Sequence, residues 1–274
     1  MLQIDQAKTL PSRRGLSGRA QSASVRDSRL TILGVAITDV DMSEAIEIVR
    51  AMLRRHVGCT RRVYFVNAHS LNVAASDPVY RKILNSGDTV FGDGTGVRWA
   101  AKLRGVRLRD NINGTDFIPA LLQATAGCGH SCFLLGANAA TIELAADFSK
   151  RAFPGWKLAG CHHGYLADEA AAAAVVAQIN EAMPDLLLVG MGNPLQEQWI
   201  HRHLAALRVP VCMGVGGLFD FWAGNVSRSP RWLRWLGYEW LWRLCQEPRR
   251  MARRYLIGNP LFLARILFEQ SQNR

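Results

Sequence analysis

The chain has 274 residues, 49% of them hydrophobic, so it can bury a sizeable core and is not a wholly disordered protein. Its net charge of +11 predicts an anionic partner, which leaves nucleic acid, an acidic lipid surface and a phosphorylated substrate open. No run of about eighteen apolar residues occurs, which argues against a membrane-spanning helix and leaves only surface contact with a membrane.

Residues 1–30 are rich in Ser, Arg and Gln and contain no apolar stretch of signal-peptide length, so we expect a disordered tail there. The six cysteines form no C-x-x-C pair and no zinc-ligand spacing. This scattered usage is typical of reduced cysteines in a cytoplasmic protein.

Between residues 31 and 227, short apolar runs alternate with helical stretches, beginning with the run Leu33 to Ile37 and the helix Ser43 to Arg55. Later runs such as Asp185 to Val189 are apolar at nearly every position, as in parallel strands that are covered on both faces. The pattern predicts one α/β domain with a doubly wound, Rossmann-like, mostly parallel sheet.

Four predicted strands end in turns that carry glycine. The turns are Gly136-Ala137-Asn138, His162-His163-Gly164-Tyr165, Gly190-Met191-Gly192-Asn193-Pro194 and Gly214-Val215-Gly216-Gly217. The carboxyl ends of parallel strands meet at one edge, and glycine lets backbone N–H groups approach a phosphate there. The turns favour a nucleotide or sugar nucleotide as ligand.

Asp93 is the candidate for the chemistry, in a stretch from Phe91 to Val97 that closes a strand and opens a helix. Gly92 and Gly94 flank it, which lets the backbone turn sharply and leaves the carboxylate uncovered. Capping of the helix by Asp93 is an equally good interpretation of this stretch alone.

Two more polar residues stand at predicted strand ends. Asn67 ends the second strand of the pattern, on the rim that holds Asp93. Gln196 lies in the first turn of a helix, where it either faces a bound phosphate or is simply an exposed polar residue.

Residues 228–274 have a different composition, with ten arginines against three acidic residues. Trp232, Trp235, Trp240 and Trp242 lie there as well. We interpret the segment as a basic, aromatic helical appendage to a complete sheet. It suits the headgroup layer of a membrane, but tryptophans packed on the core beneath a solvated arginine face explain the composition equally well.

Three other patterns in the sequence suggest a different ligand or function, and each has a feature that argues against it. The turn Gly94-x-Gly96 resembles part of a dinucleotide fingerprint, but Trp99 takes the place of the third glycine, which weakens an NAD-dependent oxidoreductase. Asp39-Val40-Asp41 has the spacing of a metal-binding D-x-D motif, although its position before Ser43 favours helix capping. A nucleic-acid-binding protein fits the charge, but no known binding module is found.

Five ordered motifs resemble the WecG/TagA/CpsF glycosyltransferases, glycosyltransferase family 26, from about Leu33 to about Phe262. They are Gly92-Asp93-Gly94-Thr95-Gly96, Gly114-Thr115-Asp116, Gly190-Met191-Gly192-Asn193-Pro194-Leu195-Gln196-Glu197, Gly214-Val215-Gly216-Gly217-Leu218-Phe219-Asp220 and Glu239-Trp240-Leu241-Trp242-Arg243.

The resemblance implies an inverting, metal-independent enzyme without a cofactor. Such an enzyme moves a hexose or N-acetylhexosamine from a UDP-sugar to a polyprenyl-diphosphate-linked sugar, peripherally on the cytoplasmic face of the membrane, for an exopolysaccharide or cell-wall polymer. Nucleic acid is not an expected partner. A second copy of the chain remains a possible one, because an apolar helix face can bury against it.

The same resemblance implies roles for individual residues. Asp93 would be the general base, and Arg243 would act with Arg250 and Arg253 on the diphosphates. The other expected substrate-binding residues are Asn67, Gly94, Thr95, Thr115, Asp116, Gly136, Tyr165, Gly190, Gly192, Asn193, Pro194, Gln196, Glu197, Gly216, Asp220 and Arg228. The family usually has a Thr-Pro-Asn strand end where this chain has Phe65-Val66-Asn67, so the asparagine carries over and the threonine role does not.

Overall fold

The computed structural model describes residues 29–54, 58–230, 233 and 238–272. Residues 1–28 of the predicted tail, together with Trp232 and Trp235, lie outside the described residues. So does the side chain of Arg250, although its backbone is helical.

An eight-stranded sheet forms the centre of the molecule, in the order β1-β2-β4-β3-β8-β7-β5-β6. The strands are β1 (Arg29–Ile32), β2 (Val35–Thr38), β3 (Arg61–Val66), β4 (Thr89–Gly92), β5 (Ser131–Gly136), β6 (Lys157–His162), β7 (Leu186–Gly190) and β8 (Val211–Gly214). All pairings are parallel except that of β1 with β2. The predicted α/β, mostly parallel architecture is confirmed.

The start of the sheet differs from the predicted single run Leu33 to Ile37. Leu33 and Gly34 have positive φ angles of 48° and 77° and form the turn of an antiparallel hairpin that pairs Ile32 with Val35. Two consecutive left-handed residues suit the twist of a tight hairpin, which is why this apolar run folds back on itself. Strand β1 therefore begins within the last two residues of the predicted tail.

Helices cover both faces of the sheet. Those of the core are α1 (Met42–Arg54), α2 (Ala68–Ser76), α3 (Pro78–Asn85), α4 (Thr95–Leu103), α5 (Gly114–Ala124), α6 (Ala139–Ala152), α7 (Glu169–Ala182), α8 (Leu195–His203) and α9 (Leu218–Trp222). Short polar side chains begin several of them: Asn67, Asn113 and Asn138 each accept a backbone N–H of the first turn. These caps fix where the chain leaves each strand and enters the next helix.

The C-terminal region is a chain of short helices: α10 (Glu239–Gln246), α11 (Pro248–Ala252), a π-helical turn (Arg253–Ile257) and α12 (Gly258–Gln272). Helix α12 packs against α2 and α4, and its Phe262 and Ile266 are buried in the same apolar cluster as Val66 and Leu71. Asn72 of α2 donates from Nδ2 to the carbonyl of Gly258 at 2.7 Å. Part of the appendage thus belongs to the core.

The two ends of the described chain also meet. The Arg104 guanidinium contacts both the carbonyl of Thr31 in β1 and the carboxylate of Glu269 in α12. Glu269 in turn accepts the backbone N–H of Leu33 at 3.3 Å. The hairpin, α4 and α12 are joined by this one cluster. Within the described segments, no helix combines the length and the apolar character needed to cross a bilayer.

Neighbouring residues of α12 provide a test of its role in stability. Ile266 is 0% exposed and Leu267 is 54% exposed. We expect Ile266→Ala to lower the free energy of unfolding by about 2–4 kcal/mol, because it removes buried methyl groups and leaves a cavity. The matched variant Leu267→Ala is expected to change it by only about 0.5 kcal/mol. Urea unfolding measures both; equal losses would show that α12 is not packed into the core.

Candidate active site

A cavity of about 940 Å³ lies at the carboxyl ends of β3, β4, β7 and β8 and is covered by the C-terminal helices. It brings together residues that are far apart in the sequence. The predicted site residues that line it are Asn67, Asp93, Gly94, Thr95, Thr115, Gly192, Asn193, Gln196, Gly216, Arg243 and Arg253.

Asp93 leaves β4 at the floor of this cavity. Its backbone N–H donates to the carbonyl of Val66 at 2.8 Å, and its carboxylate is hydrogen-bonded to the side chain of Asn67. The residue at the cap of α4 is Gly94, with φ 90°, and no side chain caps the helix. The capping interpretation of Asp93 is therefore wrong, and its carboxylate faces the cavity wall residue Asn67 instead.

The surroundings of Asp93 disfavour its charged form. Burial raises the pKa of Asp93 to about 7, and the nearby carboxylates of Glu239 and Asp116 add to the effect. The charge of Arg254 and the hydrogen bond from Asn67 lower the pKa, but they do not offset the burial. A carboxyl group with a pKa near neutrality suits proton abstraction at neutral pH.

The C-terminal helices supply a cationic wall. Arg243, Arg253 and Arg254 all line the cavity. Arg243 is held by Glu247 (Nε to Oε2, 3.0 Å), and its guanidinium lies 4.8 Å from the centre of the Phe221 ring. A Cβ on Gly217 would lie 2.7 Å from Nη2 of Arg243, so glycine at this turn lets the guanidinium lie close to the backbone without moving.

Asp116 and Arg228 connect the core to the appendage. Nη1 of Arg228 lies 2.5 Å from Oδ1 of Asp116, and Nη2 lies 3.7 Å from Oε1 of Glu239 in α10. Neither Asp116 nor Arg228 lines the cavity. Their contacts place them beside the site, where they hold Glu239 within electrostatic range of Asp93.

Gln196 and Glu197, which are adjacent in α8, take different positions. Gln196 is buried at the cavity wall and accepts the backbone N–H of Gly216 at 2.9 Å, so the interpretation as an exposed residue is wrong. Glu197 is fully buried behind it and accepts hydrogen bonds from Asn193, Gln196 and the Tyr80 hydroxyl. Burial raises the pKa of Glu197 to about 7 although these hydrogen bonds lower it.

Several expected binding residues lie away from the cavity. A Cβ on Gly136 would lie 2.3 Å from the carbonyl oxygen of Gly190, and one on Gly190 would lie 2.6 Å from the Phe219 ring, so both glycines serve close packing. Tyr165 is 76% exposed. Pro194 precedes α8 without lining the cavity, and Asp220 lies 3.9 Å from Nη2 of Arg243 and contacts it from behind.

The sequence of this chain matches that of a known family over almost its whole length. The profile described as "Glycosyl transferase WecG/TagA/CpsF family" matches residues 30–274. The chain belongs to this family of glycosyltransferases. The resemblance inferred from the five motifs is confirmed.

Two relatives illustrate the similarity, and both are named N-acetylglucosaminyldiphosphoundecaprenol N-acetyl-β-D-mannosaminyltransferase. The protein of Bacillus subtilis (strain 168) is 32% identical over 209 residues, which cover 76% of this chain and 80% of the relative. That of Staphylococcus aureus (strain MW2) is 30% identical over 241 residues, which cover 87% and 92% of the two chains.

The Asp39-Val40-Asp41 motif of this glycosyltransferase is accounted for by folding. Asp41 accepts the backbone N–H of Glu44 at 2.9 Å, and the Glu44 carboxylate accepts that of Asp41 at 3.2 Å, which is a capping box. Across the described residues, no group of three or more His, Cys, Asp or Glu side chains is arranged to hold a metal ion.

Some cavity residues were not among the predicted catalytic or substrate-binding residues. His69, Asn111, Glu239, Arg254 and Tyr255 line the cavity. Burial, together with the charge of Arg254, lowers the pKa of His69 to about 4, so its ring is neutral at pH 7. The position of His69 two residues after a strand end was a usable signal, whereas nothing in the sequence separates Arg254 from the arginines around it.

The raised pKa of Asp93 gives a pH-dependent stability. Below pH 4 the Asp93 carboxyl is neutral in both the folded and the unfolded state. As the pH rises to 7, the unfolded chain loses this proton while the folded chain keeps it. Asp93 therefore lowers the free energy of unfolding increasingly over this range. The gain of Asp93→Asn over the parent protein is therefore expected to be about 2–3 kcal/mol larger at pH 8 than at pH 5. Urea unfolding at both pH values measures this gain.

Asp147→Asn on α6, a carboxylate that is 60% exposed, serves as the control. Its difference from the parent protein is expected to be the same at pH 5 and pH 8, because water solvates that carboxylate in both states. If Asp93→Asn behaved like this control, Asp93 would not be in an environment that disfavours its charge.

Proposed function

We propose that this glycosyltransferase moves a sugar from a UDP-sugar to a polyprenyl-diphosphate-linked sugar, with inversion and without a metal ion. Family membership and the names of its relatives support the acceptor class and favour N-acetylmannosamine as the transferred sugar and N-acetylglucosamine as the acceptor sugar. The observation that carries the proposal is Asp93, a partly buried carboxyl of raised pKa in a cavity that Arg243, Arg253 and Arg254 also line.

Asp93 serves as the general base. It takes the proton of the acceptor hydroxyl while that oxygen bonds to the anomeric carbon and the bond from this carbon to the UDP oxygen breaks. Attack from the face opposite UDP inverts the anomeric centre. Its pKa of about 7 leaves the carboxylate available near neutral pH and basic enough to accept the proton.

The cationic wall receives the charge that develops on the departing diphosphate. Arg243, Arg253 and Arg254 provide guanidinium groups. Helix α4 adds to them, because its N-terminal residues Gly94 and Thr95 line the cavity and the positive end of its dipole favours an anion there. With this charge supplied by the protein, the transfer does not require a metal ion.

A membrane surface is the proposed site of action. Leu256, Ile257 and Leu261 of the C-terminal region and Trp99 of α4 are exposed apolar side chains, and Ile257, Leu261 and Trp99 also line the cavity. Exposed apolar side chains next to arginines suit the interfacial layer of an anionic membrane. A lipid-linked acceptor would then meet the cavity where the protein meets the bilayer.

Family membership favours this function over the NAD-dependent and nucleic-acid-binding alternatives.

The test is a transfer assay with UDP-N-acetylmannosamine and a short-chain polyprenyl-diphosphate N-acetylglucosamine, run in excess EDTA. We expect the parent protein to keep its activity in EDTA. Asp93→Asn is expected to lower kcat by about 10²–10⁴-fold while UDP still binds, because the amide keeps the shape and cannot take a proton.

Asp147→Asn again serves as the control and keeps the parental rate. Loss of activity in EDTA that manganese restores would contradict metal independence. A parental kcat in Asp93→Asn would remove Asp93 from the mechanism.

Replacement of an exposed leucine by glutamate tests the membrane contact. Leu256→Glu is expected to reduce co-sedimentation with vesicles of anionic phospholipid at least about 10-fold. It removes an apolar side chain from the interface and adds a negative charge that the anionic headgroups repel. Leu256 is 62% exposed, and its control Leu144→Glu replaces a leucine that is 51% exposed on α6. Equal losses in both variants would mean that the C-terminal region does not provide the contact.

A further inference from the structure

The three hydrogen bonds to Glu197 fix the orientation of two amides in the cavity wall. Oε1 of Glu197 accepts from Nδ2 of Asn193 at 2.6 Å and from Nε2 of Gln196 at 2.7 Å, and Oε2 accepts from the Tyr80 hydroxyl at 3.0 Å. In its charged form Glu197 has no hydrogen to donate, so each amide presents its nitrogen to it. The orientation of both amides follows from their partner.

Each amide therefore keeps its oxygen for another partner. Oε1 of Gln196 accepts the backbone N–H of Gly216 at 2.9 Å and is thereby used within the protein. Asn193 lines the cavity, and its nitrogen is held by Glu197. Among the residues that the structure describes, no donor is recorded for Oδ1 of Asn193. This oxygen is the atom that Asn193 offers to a ligand.

A carbonyl oxygen discriminates between the parts of a sugar nucleotide. The diphosphate of a UDP-sugar carries acceptor oxygens only, so it cannot bond to Oδ1 and is repelled by it. The uracil imide N–H, the sugar hydroxyls and an acetamido N–H all carry hydrogen-bond donors. The diphosphate is instead expected at the cationic wall formed by Arg243, Arg253 and Arg254. This division differs from the sequence expectation that the turn from Gly190 to Asn193 meets a phosphate.

We propose that Glu197 is a positioning residue that holds Asn193 with Oδ1 towards the cavity, where this oxygen accepts a hydrogen bond from a neutral N–H or O–H group of the sugar nucleotide. The proposal rests on the UDP-sugar donor of the proposed function. Glu197 itself is fully buried and does not line the cavity, so it acts on the ligand only through Asn193.

The first experiment is calorimetric titration of the full chain with UDP and with UDP-N-acetylmannosamine, alongside steady-state kinetics. Asn193→Ala is expected to weaken binding about 3- to 10-fold, the effect of one neutral hydrogen bond, with kcat little changed. A loss for both ligands assigns the donor group to the uridine, as the uracil N–H or a ribose hydroxyl, and a loss for UDP-N-acetylmannosamine alone assigns it to the transferred sugar. The control Asn138→Ala removes an exposed asparagine that caps α6.

Parental affinity of Asn193→Ala for both ligands would overturn the proposal. That outcome is distinct from failure of the proposed function, in which the parent protein itself binds neither UDP nor UDP-N-acetylmannosamine.

The second experiment separates positioning from a merely structural role of Glu197. Glu197→Ala is expected to raise KM for the sugar nucleotide by the same factor as Asn193→Ala, and the double variant to raise it no further, because both changes remove one interaction. Glu197→Gln should restore most of the affinity, since its carbonyl oxygen still accepts the Asn193 N–H. Additive effects on KM, or a fall in kcat alone, would overturn the positioning role. If Glu197→Ala does not fold, Glu197→Asp takes its place in this comparison, because the shorter side chain withdraws the carboxylate from Asn193.

Discussion

The packing of Phe262 and Ile266 against the core determines where the functional groups of the C-terminal region lie. Gly96 of α4 lies beside this contact: a Cβ there would lie at an ordinary 3.6 Å from the Phe262 ring but only 2.9 Å from Cβ of Ala68, so the glycine serves the close approach of α2 and α4 against which α12 packs. Because α12 is fixed at this point, the π-helical turn before it brings Arg253 and Arg254 to the cavity. The apolar contact and the cationic wall are thus consequences of the same docking.

Two opposing electrostatic effects meet at Asp93. Burial and the carboxylates of Glu239 and Asp116 favour its protonated form, whereas Arg254 and Asn67 favour the charged form. Glu239 and Arg254 both come from the C-terminal region, so the same segment raises and lowers the pKa. Arg228 moderates the acidic side by pairing with both Asp116 and Glu239. A carboxyl group held in this balance changes its charge with small changes in the position of α10 or the π-helical turn.

Much of the fold and part of the candidate site were predictable from the sequence. Apolar runs identified the parallel strands, since a buried strand needs apolar side chains on both faces. The hairpin at Leu33 and Gly34 was missed because its evidence is two backbone angles, and only one of the two residues is glycine. Glycines at strand ends were over-interpreted: Gly216 lines the cavity, but Gly136 and Gly190 serve close packing, and all three look alike in a sequence.

Side-chain direction was the other limit. Gln196 and Glu197 are neighbours in one motif, yet about 100° separates successive side chains of a helix, so only one of them reaches the cavity wall. Arg243 and Arg253 were named because the family resemblance implies them. Arg254 and Glu239 become relevant only once α12 is docked, and no local pattern predicts that docking.

The hydrogen bond of Arg104 to Thr31 and its ion pair with Glu269 make the two ends of the fold interdependent. Unfolding of the β1–β2 hairpin would remove a hydrogen-bond partner of Glu269 in α12, and unfolding of α12 would remove a partner of the hairpin. Opening of the polypeptide at either terminus should therefore spread to the other as one cooperative unit. A fusion partner or a truncation at one terminus would therefore alter the stability of the opposite terminus. Through α12 it would also alter the position of the arginines that line the cavity.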